Sequence, residues 1–485
     1  MSRHLRSVAA IFCLSGSAVM AHAQPGQAEF AARRSALAAR IGEGALIAFG
    51  GRTPVTDFGP FYQLPSFHYV TGFDEPDAAF VMVVHGGKAV STLYLSPIDP
   101  RTALYYGRRP DSASVSRDLG VEARSFGALA TVADSLASSG TSIYTLADFS
   151  DADFARQDSL TRGRMFVRSL LASHPNLVTH DAHPFVDDLR ARKSDAEIAL
   201  LRRAAEISSE GHRAVLMLPR PSHEYEMQSA LEGTFLRLGG ARPAYGSIVG
   251  SGRNGTQLHY MRDRGPAMPG DLVVIDAATE YEGYAADVTR TIPVSGKYTP
   301  DQRIIYQLVR DAQAAAERNS KPGMLASAAQ DSSVAIRVSG LARLGLIESA
   351  DASFDPPWAV NCERAPATCR QSVLWTIHGI SHGLGLAVHD PAQYYFGERR
   401  FREGDAFTIE PGIYISSASL DALPDTPKNR VFIAHAKAAV ERFNNTGVRI
   451  EDDYVITSAG LQRMSTAPRE IAEIETLMGK RPARK

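Results

Sequence analysis

Several carboxylates stand inside apolar, strand-like stretches of the chain, where an unpaired negative charge is costly to bury. Asp276 and Asp287 lie within VVIDAATEYEGYAADVTRT, residues 273–291. Glu410 ends the apolar run of FTIEPGIY, and Glu451 is predicted in the middle of a strand in VRIEDDYVIT. Each of these side chains needs a positive partner, and the chemistry that they suggest together is metal binding.

The stretch with the two aspartates is predicted to form a hairpin. Residues 273–275 and 285–292 favour strands, and residues 280–283 supply a turn in which Gly283 is free to take a positive φ. A four-residue loop would place the aspartates directly opposite each other, with Cβ atoms roughly 4.5–5.5 Å apart. Two carboxylates that close repel each other unless a cation lies between them. The alternative is a solvated face with the register displaced by a bulge, and the hairpin alone does not decide.

Three histidines stand in the segment HGISHGLGLAVHD, namely His378, His382 and His389. A lone histidine on an apolar segment is usually a structural group, but three within twelve residues, among glycines that permit close approach, favour a site. One imidazole and the four carboxylates form a ligand set that suits Mn²⁺, Fe²⁺, Co²⁺ or Zn²⁺ in a two-metal site. Two ions about 3.5–4 Å apart can share a water, lower its pKa and stabilise a tetrahedral oxyanion.

Length and composition limit the classes of protein to consider. A chain of 485 residues predicts two domains. A hydrophobic content of 44% with 22% charged residues is typical of a soluble globular protein. A net charge of −1 argues against nucleic acid as a partner, and no clean apolar run after the N-terminus is long enough to anchor the chain stably in a membrane.

The N-terminus and the cysteines point to an exported protein. Residues 1–23 combine early basic residues, a short apolar run and an Ala-His-Ala site, so we expect a signal peptide and a periplasmic or secreted product. The alternative is a disordered cytosolic leader. Cys362 and Cys369 remain in the mature chain, and we expect a small disulfide. A zinc site is the competing interpretation, but no second Cys or His pair at zinc-finger spacing stands nearby.

The pattern of elements changes near residue 190. Residues 24–189 alternate predicted strands and helices as in an α/β domain. A helix begins after Ser194, with Glu197 placed for a capping box, so we expect a second domain over residues 190–485. A further capping box is predicted at Thr299. Two stretches, 350–373 and 416–440, are predicted to be irregular insertions.

The order of the motifs resembles a known family. The D-x10-D spacing of DAATEYEGYAAD, followed by SHGLGLAVHD, TIEPGIY and RIEDDYVIT, is similar to the catalytic domain of the creatinase, prolidase and methionine aminopeptidase group, the pita-bread fold. Upstream, SFHYVTGFDEPDAAFVMV, residues 66–83, resembles the N-terminal domain of aminopeptidase P and prolidase, which methionine aminopeptidases lack. The resemblance implies an α/β (α+β) protein of the Xaa-Pro aminopeptidase and prolidase group, with a creatinase-like N-terminal domain before a pita-bread metallopeptidase domain.

The resemblance also assigns roles to individual residues. Asp276 would hold one metal ion, His382 and Glu410 would hold the other, and Asp287 and Glu451 would bridge both. A second group would act in catalysis or line the substrate pocket, namely Glu410, His259, His378 and His389 for catalysis and His259, His389, Tyr414 and Arg449 for substrate binding. The family favours manganese and forms dimers or larger assemblies, so we expect two divalent ions and a homo-oligomer.

The implied activity is hydrolysis of an N-terminal Xaa-Pro bond in peptides with proline at the second position. In the mechanism that we expect, a hydroxide bridging the two ions attacks the carbonyl before proline, with Glu410 as general base and then acid. Xaa-Pro dipeptidase activity is the nearest alternative and differs in substrate length. A metal-free creatinase-like hydrolase and an inactive peptide-binding module both predict lost ligands, whereas all five remain. Hydrolysis of non-peptide esters is a possible side activity of such sites.

Overall fold

The computed structural model describes residues 25–54, 59–97, 99–146, 162–391 and 399–482. The predicted signal peptide, residues 1–23, lies outside this part of the chain. Among the described residues, no helix combines the length and the apolar character that crossing a membrane would require.

The described chain consists of helices and mostly short strands. The helices are α1 (Gln27–Ile41), α2 (Pro65–Thr71), α3 (Pro100–Tyr106), α4 (Ser112–Leu119), α5 (Leu129–Ser138), α6 (Arg162–Ser173), α7 (His183–Arg190), α8 (Asp195–Leu216), α9 (Glu224–Arg237), α10 (Pro300–Asn319), α11 (Ala326–Arg343), α12 (Ser417–Asp421), α13 (Pro427–Phe443) and α14 (Ile471–Met478). The strands are β1 (Gly44–Phe49), β2 (Ala79–His85), β3 (Lys88–Leu95), β4 (Glu122–Ser125), β5 (Ile143–Thr145), β6 (Thr179–Asp181), β7 (Arg242–Pro243), β8 (Ile248–Ser251), β9 (Leu272–Asp276), β10 (Thr279–Tyr281), β11 (Tyr284–Ala285), β12 (Thr289–Pro293), β13 (Ala406–Ile409), β14 (Gly412–Ile415), β15 (Thr446–Arg449), β16 (Asp452–Thr457) and β17 (Gly460–Arg463).

The N-terminal part forms one mixed sheet in the order β4-β3-β2-β1-β5-β6. Strand β1 is buried throughout, and its side chains alternate between the two faces of the sheet. Leu46 joins a core that includes Leu37 of α1, whereas Ile47 and Phe49 join a core that includes Ala133 of α5. Helices therefore cover both faces of the sheet, and the predicted α/β class of this part is confirmed.

The C-terminal part consists of small antiparallel sheets surrounded by helices. The sheets are β11-β10-β7, β12-β9-β8, β13-β16-β17 and the pair β14-β15. Both predicted capping boxes are present: Ser194 and Glu197 begin α8, and Thr299 and Gln302 begin α10. These local signals place two long helices behind the sheets that carry the acidic motifs of the sequence.

The register of the predicted hairpin was wrong. Strand β9 pairs with β12 so that Asp276 lies opposite Thr289, not Asp287. The turn consists of two residues, Glu282 and Gly283, with φ of 49° and 82°. Positive φ at both central residues is typical of the tight turn that matches strand twist, and it lets β10 and β11 pair where a longer loop was expected. The second predicted strand is consequently broken into β11 and β12, and Asp287 stands between them.

The second predicted irregular stretch was also wrong, because most of residues 416–440 are helical. Helix α13 begins after Thr426, whose side chain accepts from the backbone N–H of Asn429, and Pro427 occupies its first position. Phe432 and Val440 are buried on one face of this helix. The pair Thr426-Pro427 is a local signal of a helix start, and the prediction of an irregular stretch did not take it into account.

The first predicted irregular stretch, residues 350–373, is irregular as expected and contains turns, short 3-10 turns and one isolated bridge between Ser353 and Arg370. The expected disulfide joins Cys362 and Cys369, with Cα atoms 5.7 Å apart. This stretch packs on α13: Lys428 donates to Asp355 at 2.8 Å, and the backbone N–H of Asp355 donates to Asn429 at 2.9 Å. The two insertions therefore support each other on one side of the catalytic part.

One apolar cluster joins the N-terminal part to the C-terminal part. It contains Phe67 and Val70 of α2 together with Tyr284 of β11, Leu384 and Leu386. Since the last two residues belong to the histidine-rich segment, the N-terminal domain packs directly behind part of the predicted site. The domain boundary near residue 190 remains a prediction.

Candidate metal centre

Strand β9 and the break before β12 bring Asp276 and Asp287 to one wall of a buried site. Both side chains are buried, with Asp276 at the end of β9. The hydroxyl oxygen of Tyr245 lies 2.5 Å from Oδ1 of Asp276 and 2.6 Å from Oδ1 of Asp287. The two carboxylates thus converge on one point although they are not opposite each other in the sheet.

Residues 380–384 build the second wall, because they run beside strand β13. The backbone N–H of Glu410 donates to the carbonyl of Ile380 at 2.7 Å, and that of Thr408 donates to the carbonyl of His382 at 3.0 Å. This pairing sets His382 beside Glu410, with Nε2 of the histidine 3.7 Å from Oε1 of the glutamate.

Glu451 completes the site from the C-terminal strands. It was predicted within a strand, but it lies between β15 and β16, where its N–H donates to the carbonyl of Thr289 at 3.1 Å. The hydroxyl of Thr289 donates to Oε2 of Glu451 at 2.7 Å. Nε2 of His382 lies 3.4 Å from Asp287 and 3.8 Å from Glu451, and ligand atoms of these three residues all lie within 4.8 Å of one another.

The donor set fits divalent metal ions. Oε1 of Glu451 is buried and has no hydrogen-bond partner among the described residues. Nδ1 of His382 lies 3.0 Å from the carbonyl of Gly383, and donation to that carbonyl leaves a lone pair on Nε2, which faces the carboxylates. Four carboxylates and one neutral imidazole suit first-row divalent ions. The residues that would hold them are Asp276, Asp287, His382, Glu410 and Glu451.

Burial, followed by mutual repulsion, raises the pKa of three of the carboxylates. Burial, followed by the charge of Asp276, raises the pKa of Asp287 well above its usual range. Burial and the charge of Glu451 raise the pKa of Glu410 to about 8, and burial and Asp287 raise that of Glu451. Burial opposes ionisation of Asp276 as well, but the Arg449 charge and the hydrogen bonds from Tyr245 and Arg449 together lower the pKa of that carboxyl. Without metal the site therefore holds protons near neutral pH, and metal binding must release them.

We expect the stabilisation by metal to grow as the pH rises. Protons on carboxylates with a raised pKa stabilise the metal-free fold at low pH, and this contribution is lost progressively between about pH 4.5 and about pH 8, the ordinary and raised values for Glu410. The melting temperature of chelator-treated protein should fall across this range, whereas Mn²⁺-loaded protein should change little. Differential scanning fluorimetry of both forms measures the difference between their melting temperatures at each pH. Glu410→Gln should weaken the pH dependence of the melting temperature of the metal-free protein. A difference that stays constant with pH would contradict the prediction.

A chain of hydrogen bonds lies behind Glu410. Buried Arg449 donates from Nη2 to Asp276 and from Nη1 to the hydroxyl oxygen of Tyr414, the latter at 2.7 Å. The same hydroxyl lies within hydrogen-bond distance of Nε2 of His378, 2.9 Å away. Nδ1 of His378 lies 3.5 Å from Oε2 of Glu410. The predicted residues Arg449, Tyr414 and His378 thus form one unit that orients two of the ligands.

The remaining predicted histidines lie at the solvent edge of the site. The ring centroids of His389 and His382 are 4.1 Å apart. Partial burial, followed by the charges of His382 and His259, lowers the pKa of His389 to about 3. A neutral His389 can donate one hydrogen bond to a substrate oxygen. His259 is exposed as well, and it is near enough for its charge to act on His389.

Three further residues of the site were not predicted from the sequence. Tyr245 and Thr289 bond directly to the carboxylates, and Asp453 accepts from the backbone N–H of Asp287 at 3.1 Å. The acidic pair in RIEDD was a signal for Asp453. Tyr245 and Thr289 stand in ordinary strand-like surroundings, and only their contacts in three dimensions identify them.

Comparison with known proteins places this geometry in a family. The profile of metallopeptidase family M24 matches residues 199–458, which contain all the predicted ligands. The chain belongs to metallopeptidase family M24. The profile of the aminopeptidase P N-terminal domain matches residues 30–144 of this M24 protein. The predicted family and its two-part architecture are thereby confirmed, as is the prediction of a metal-dependent hydrolase.

Relatives of known activity match this M24 protein over most of its length. The Xaa-Pro aminopeptidase of Escherichia coli (strain K12) is 33% identical, and the alignment covers 93% of this chain and 97% of that one. The Xaa-Pro aminopeptidase of Haemophilus influenzae is 34% identical, with 86% and 89% covered. Among solved structures, E. coli aminopeptidase P in complex with substrate matches with a TM-score of 0.75 and 32% identity, over 94% of this chain and 99% of that one. Zn-substituted E. coli aminopeptidase P in complex with product matches with a TM-score of 0.75 and 31% identity, over 96% and 100%.

Proposed function

We propose that this M24 metallopeptidase is an Xaa-Pro aminopeptidase, which hydrolyses the bond before a proline at the second position of a peptide. The observation that carries the proposal is the combination, in one chain, of the candidate ligand set around buried Asp287, His382 and Glu451 with an aminopeptidase P N-terminal domain. The near full-length match to Xaa-Pro aminopeptidases supports this substrate class.

Glu410 is placed to move the proton that the reaction requires. When bound, the divalent ions supply Lewis acidity and lower the pKa of a water. The Glu410 carboxylate accepts a proton from the attacking water as its oxygen bonds to the scissile carbonyl carbon, and it delivers that proton to the proline nitrogen as the carbon–nitrogen bond breaks. His378, through Nδ1, faces Oε2 of Glu410 and orients the carboxylate for both transfers.

The edge of the site provides the contacts for the peptide. His389 and His259 stand where their rings can donate hydrogen bonds to the scissile carbonyl oxygen or to the peptide backbone. Proline has no N–H and a fixed φ, so a peptidase for Xaa-Pro bonds must recognise the ring rather than a backbone donor. Arg449 and Tyr414 hold the wall behind these groups rigid through their mutual hydrogen bond.

The proposal also covers the identity of the metal ions, the oligomeric state and the cellular location of the protein. We propose two Mn²⁺ ions, with Zn²⁺, Co²⁺ and Fe²⁺ as alternatives that metal analysis of the purified protein distinguishes. We propose export to the periplasm or medium, which the Cys362–Cys369 disulfide supports because disulfides persist in oxidising compartments. A homo-oligomer is proposed from the family resemblance, and light scattering tests it.

A matched pair of peptides tests the proposed activity. Mature protein loaded with Mn²⁺ should release only the first residue from Xaa-Pro-Yaa-Yaa, and chelation should abolish this release because the ligand set then lacks its cations. Mass spectrometry of the products measures the cleavage position. Cleavage of Xaa-Pro alone, without the tetrapeptide, would instead identify a dipeptidase. No cleavage of either peptide by metal-loaded protein would contradict the proposed substrate class.

A further inference from the structure

The segment from Gly383 to Asp390 folds back on itself and thereby places His389 in the site. The backbone N–H of Asp390 donates to the carbonyl of Gly383 at 2.8 Å, and the His389 ring returns to within 4.1 Å of the His382 ring. A Cβ at Gly383 or at Gly385 would collide with Asp390. The glycines of this segment are therefore required by the position of Asp390, one residue beyond His389.

Asp390 is contacted by Arg190 and Lys193, which lie where the chain passes from the N-terminal to the C-terminal domain. Nε of Arg190 lies 2.9 Å from Oδ1 of Asp390, and the two side chains are 1% and 2% exposed. The Lys193 ammonium, also buried, donates to the Asp390 carbonyl at 2.8 Å. Nη1 of Arg190 donates in turn to the hydroxyl of Ser66, on α2 of the N-terminal domain, at 2.8 Å. Two buried cations thus converge on the residue that follows His389.

We propose that Arg190 is a positioning residue for catalysis: it fixes Asp390, and through Asp390 the His389 ring, and it ties this position to the N-terminal domain through Ser66. The proposal rests on the substrate contact assigned above to His389. A contribution to folding stability does not explain the buried pair of Arg190 and Asp390 well. A buried ion pair adds little net stability compared with apolar side chains of similar volume. The Arg190 guanidinium does connect two partners at once, since it forms an ion pair with the Asp390 carboxylate and donates a hydrogen bond to the Ser66 hydroxyl.

The expected effect falls on turnover. A displacement of about 1 Å in a group that contacts the reacting bond can cost up to about 10²-fold in rate. Arg190→Met should therefore lower kcat by about 10- to 100-fold. Metal content should stay unchanged, because the contacts that carry the proposal join Arg190 to Asp390 and Ser66, neither of which is one of the five ligands.

A double-mutant cycle with His389→Ala tests whether Arg190 acts through His389. The kcat and KM of wild type, Arg190→Met, His389→Ala and the double variant are measured at a temperature at which all four are folded. We expect the effect of Arg190→Met to shrink to within about twofold in the His389→Ala background, since nothing then remains to be positioned. An equal loss in both backgrounds, or no loss in either, would overturn the proposal.

Two further variants separate positioning from stability. Asp390→Asn keeps the shape of the side chain, removes its charge and should also lower kcat. The matched control is Arg33→Met, which breaks the ion pair between α1 and Glu197 of α8, where both side chains are 5% exposed. No hydrogen bond or ion pair joins Arg33 to residues 383–391 in the described chain, so we expect a lower melting temperature with unchanged kcat. A control that loses kcat as Asp390→Asn does would point to a general structural effect and overturn the proposal.

Crystal structures of metal-loaded wild type and Asp390→Asn give a readout that does not depend on activity. We expect the His389 ring to move away from His382 in the variant. An unmoved ring overturns the positioning proposal even if the enzyme cleaves Xaa-Pro peptides. A displaced ring in a protein that cleaves no such peptide would leave positioning intact and refute the proposed function instead.

Discussion

Asp287→Ala is expected to lower kcat/KM for an Xaa-Pro peptide by about 10³-fold or more. Metal-ion catalysis contributes several kcal/mol to a transition state, and about 4 kcal/mol corresponds to this factor. Asp287 lies at the centre of the ligand set, 3.4 Å from His382 and within reach of Asp276 through the hydroxyl of Tyr245. Its loss removes the ligand that links the two walls of the site.

The fold should survive this substitution, because burial and then repulsion by Asp276 raise the pKa of the Asp287 carboxyl. Removing it relieves that repulsion in the metal-free protein. Activity and metal content by mass spectrometry are measured together, with Asp301→Ala as control, since Asp301 forms an exposed pair with Arg442. A variant that retains two metal ions and full activity would exclude Asp287 from the proposed centre.

The largest expected loss of stability follows from Asp452→Ala. Asp452 is fully buried next to the ligand Glu451, and it accepts from Arg290 at 2.6 Å and from Arg469 at 2.9 Å. Although burial opposes ionisation, these guanidinium groups hold the pKa of Asp452 well below its usual range. The stabilisation that this pairing provides is therefore present at neutral pH and is lost only as the pH falls below about 4. Alanine would leave Arg290, itself 1% exposed, as an uncompensated buried charge.

Breaking one side of a buried pair costs about 3–5 kcal/mol, which corresponds to a fall in melting temperature of about 10 °C for a domain of this size. Calorimetry of the metal-loaded protein measures the change. Asp425→Ala, which removes an exposed pair with Arg430, should have little effect. A shift for Asp452→Ala as small as that of the exposed control would show that the network around Arg290 carries no stabilisation.

Local signals in the sequence were sufficient to predict features that depend on residues close together in the chain, such as helix starts. The capping boxes at Ser194 and Thr299 predicted two helix starts, because the bonds involved span three residues. The predicted hairpin register was wrong because local sequence did not decide between a two-residue and a four-residue turn. The two-residue turn that forms places Thr289, and not Asp287, opposite Asp276.

Residue type and sequence neighbours by themselves pointed to the candidate metal ligands, since a carboxylate in an apolar run is costly to bury without a positive partner. Asp276, Asp287 and Glu410 are recognisable in this way from residue type and neighbours alone. Only the tertiary structure decided how these groups are held, because the supporting contacts join residues far apart in the chain. Tyr245 reaches Asp287 across 42 positions, and Lys193 reaches Asp390 across 197. Pairings of that length leave no local pattern, and they form only when distant segments of the C-terminal domain pack together.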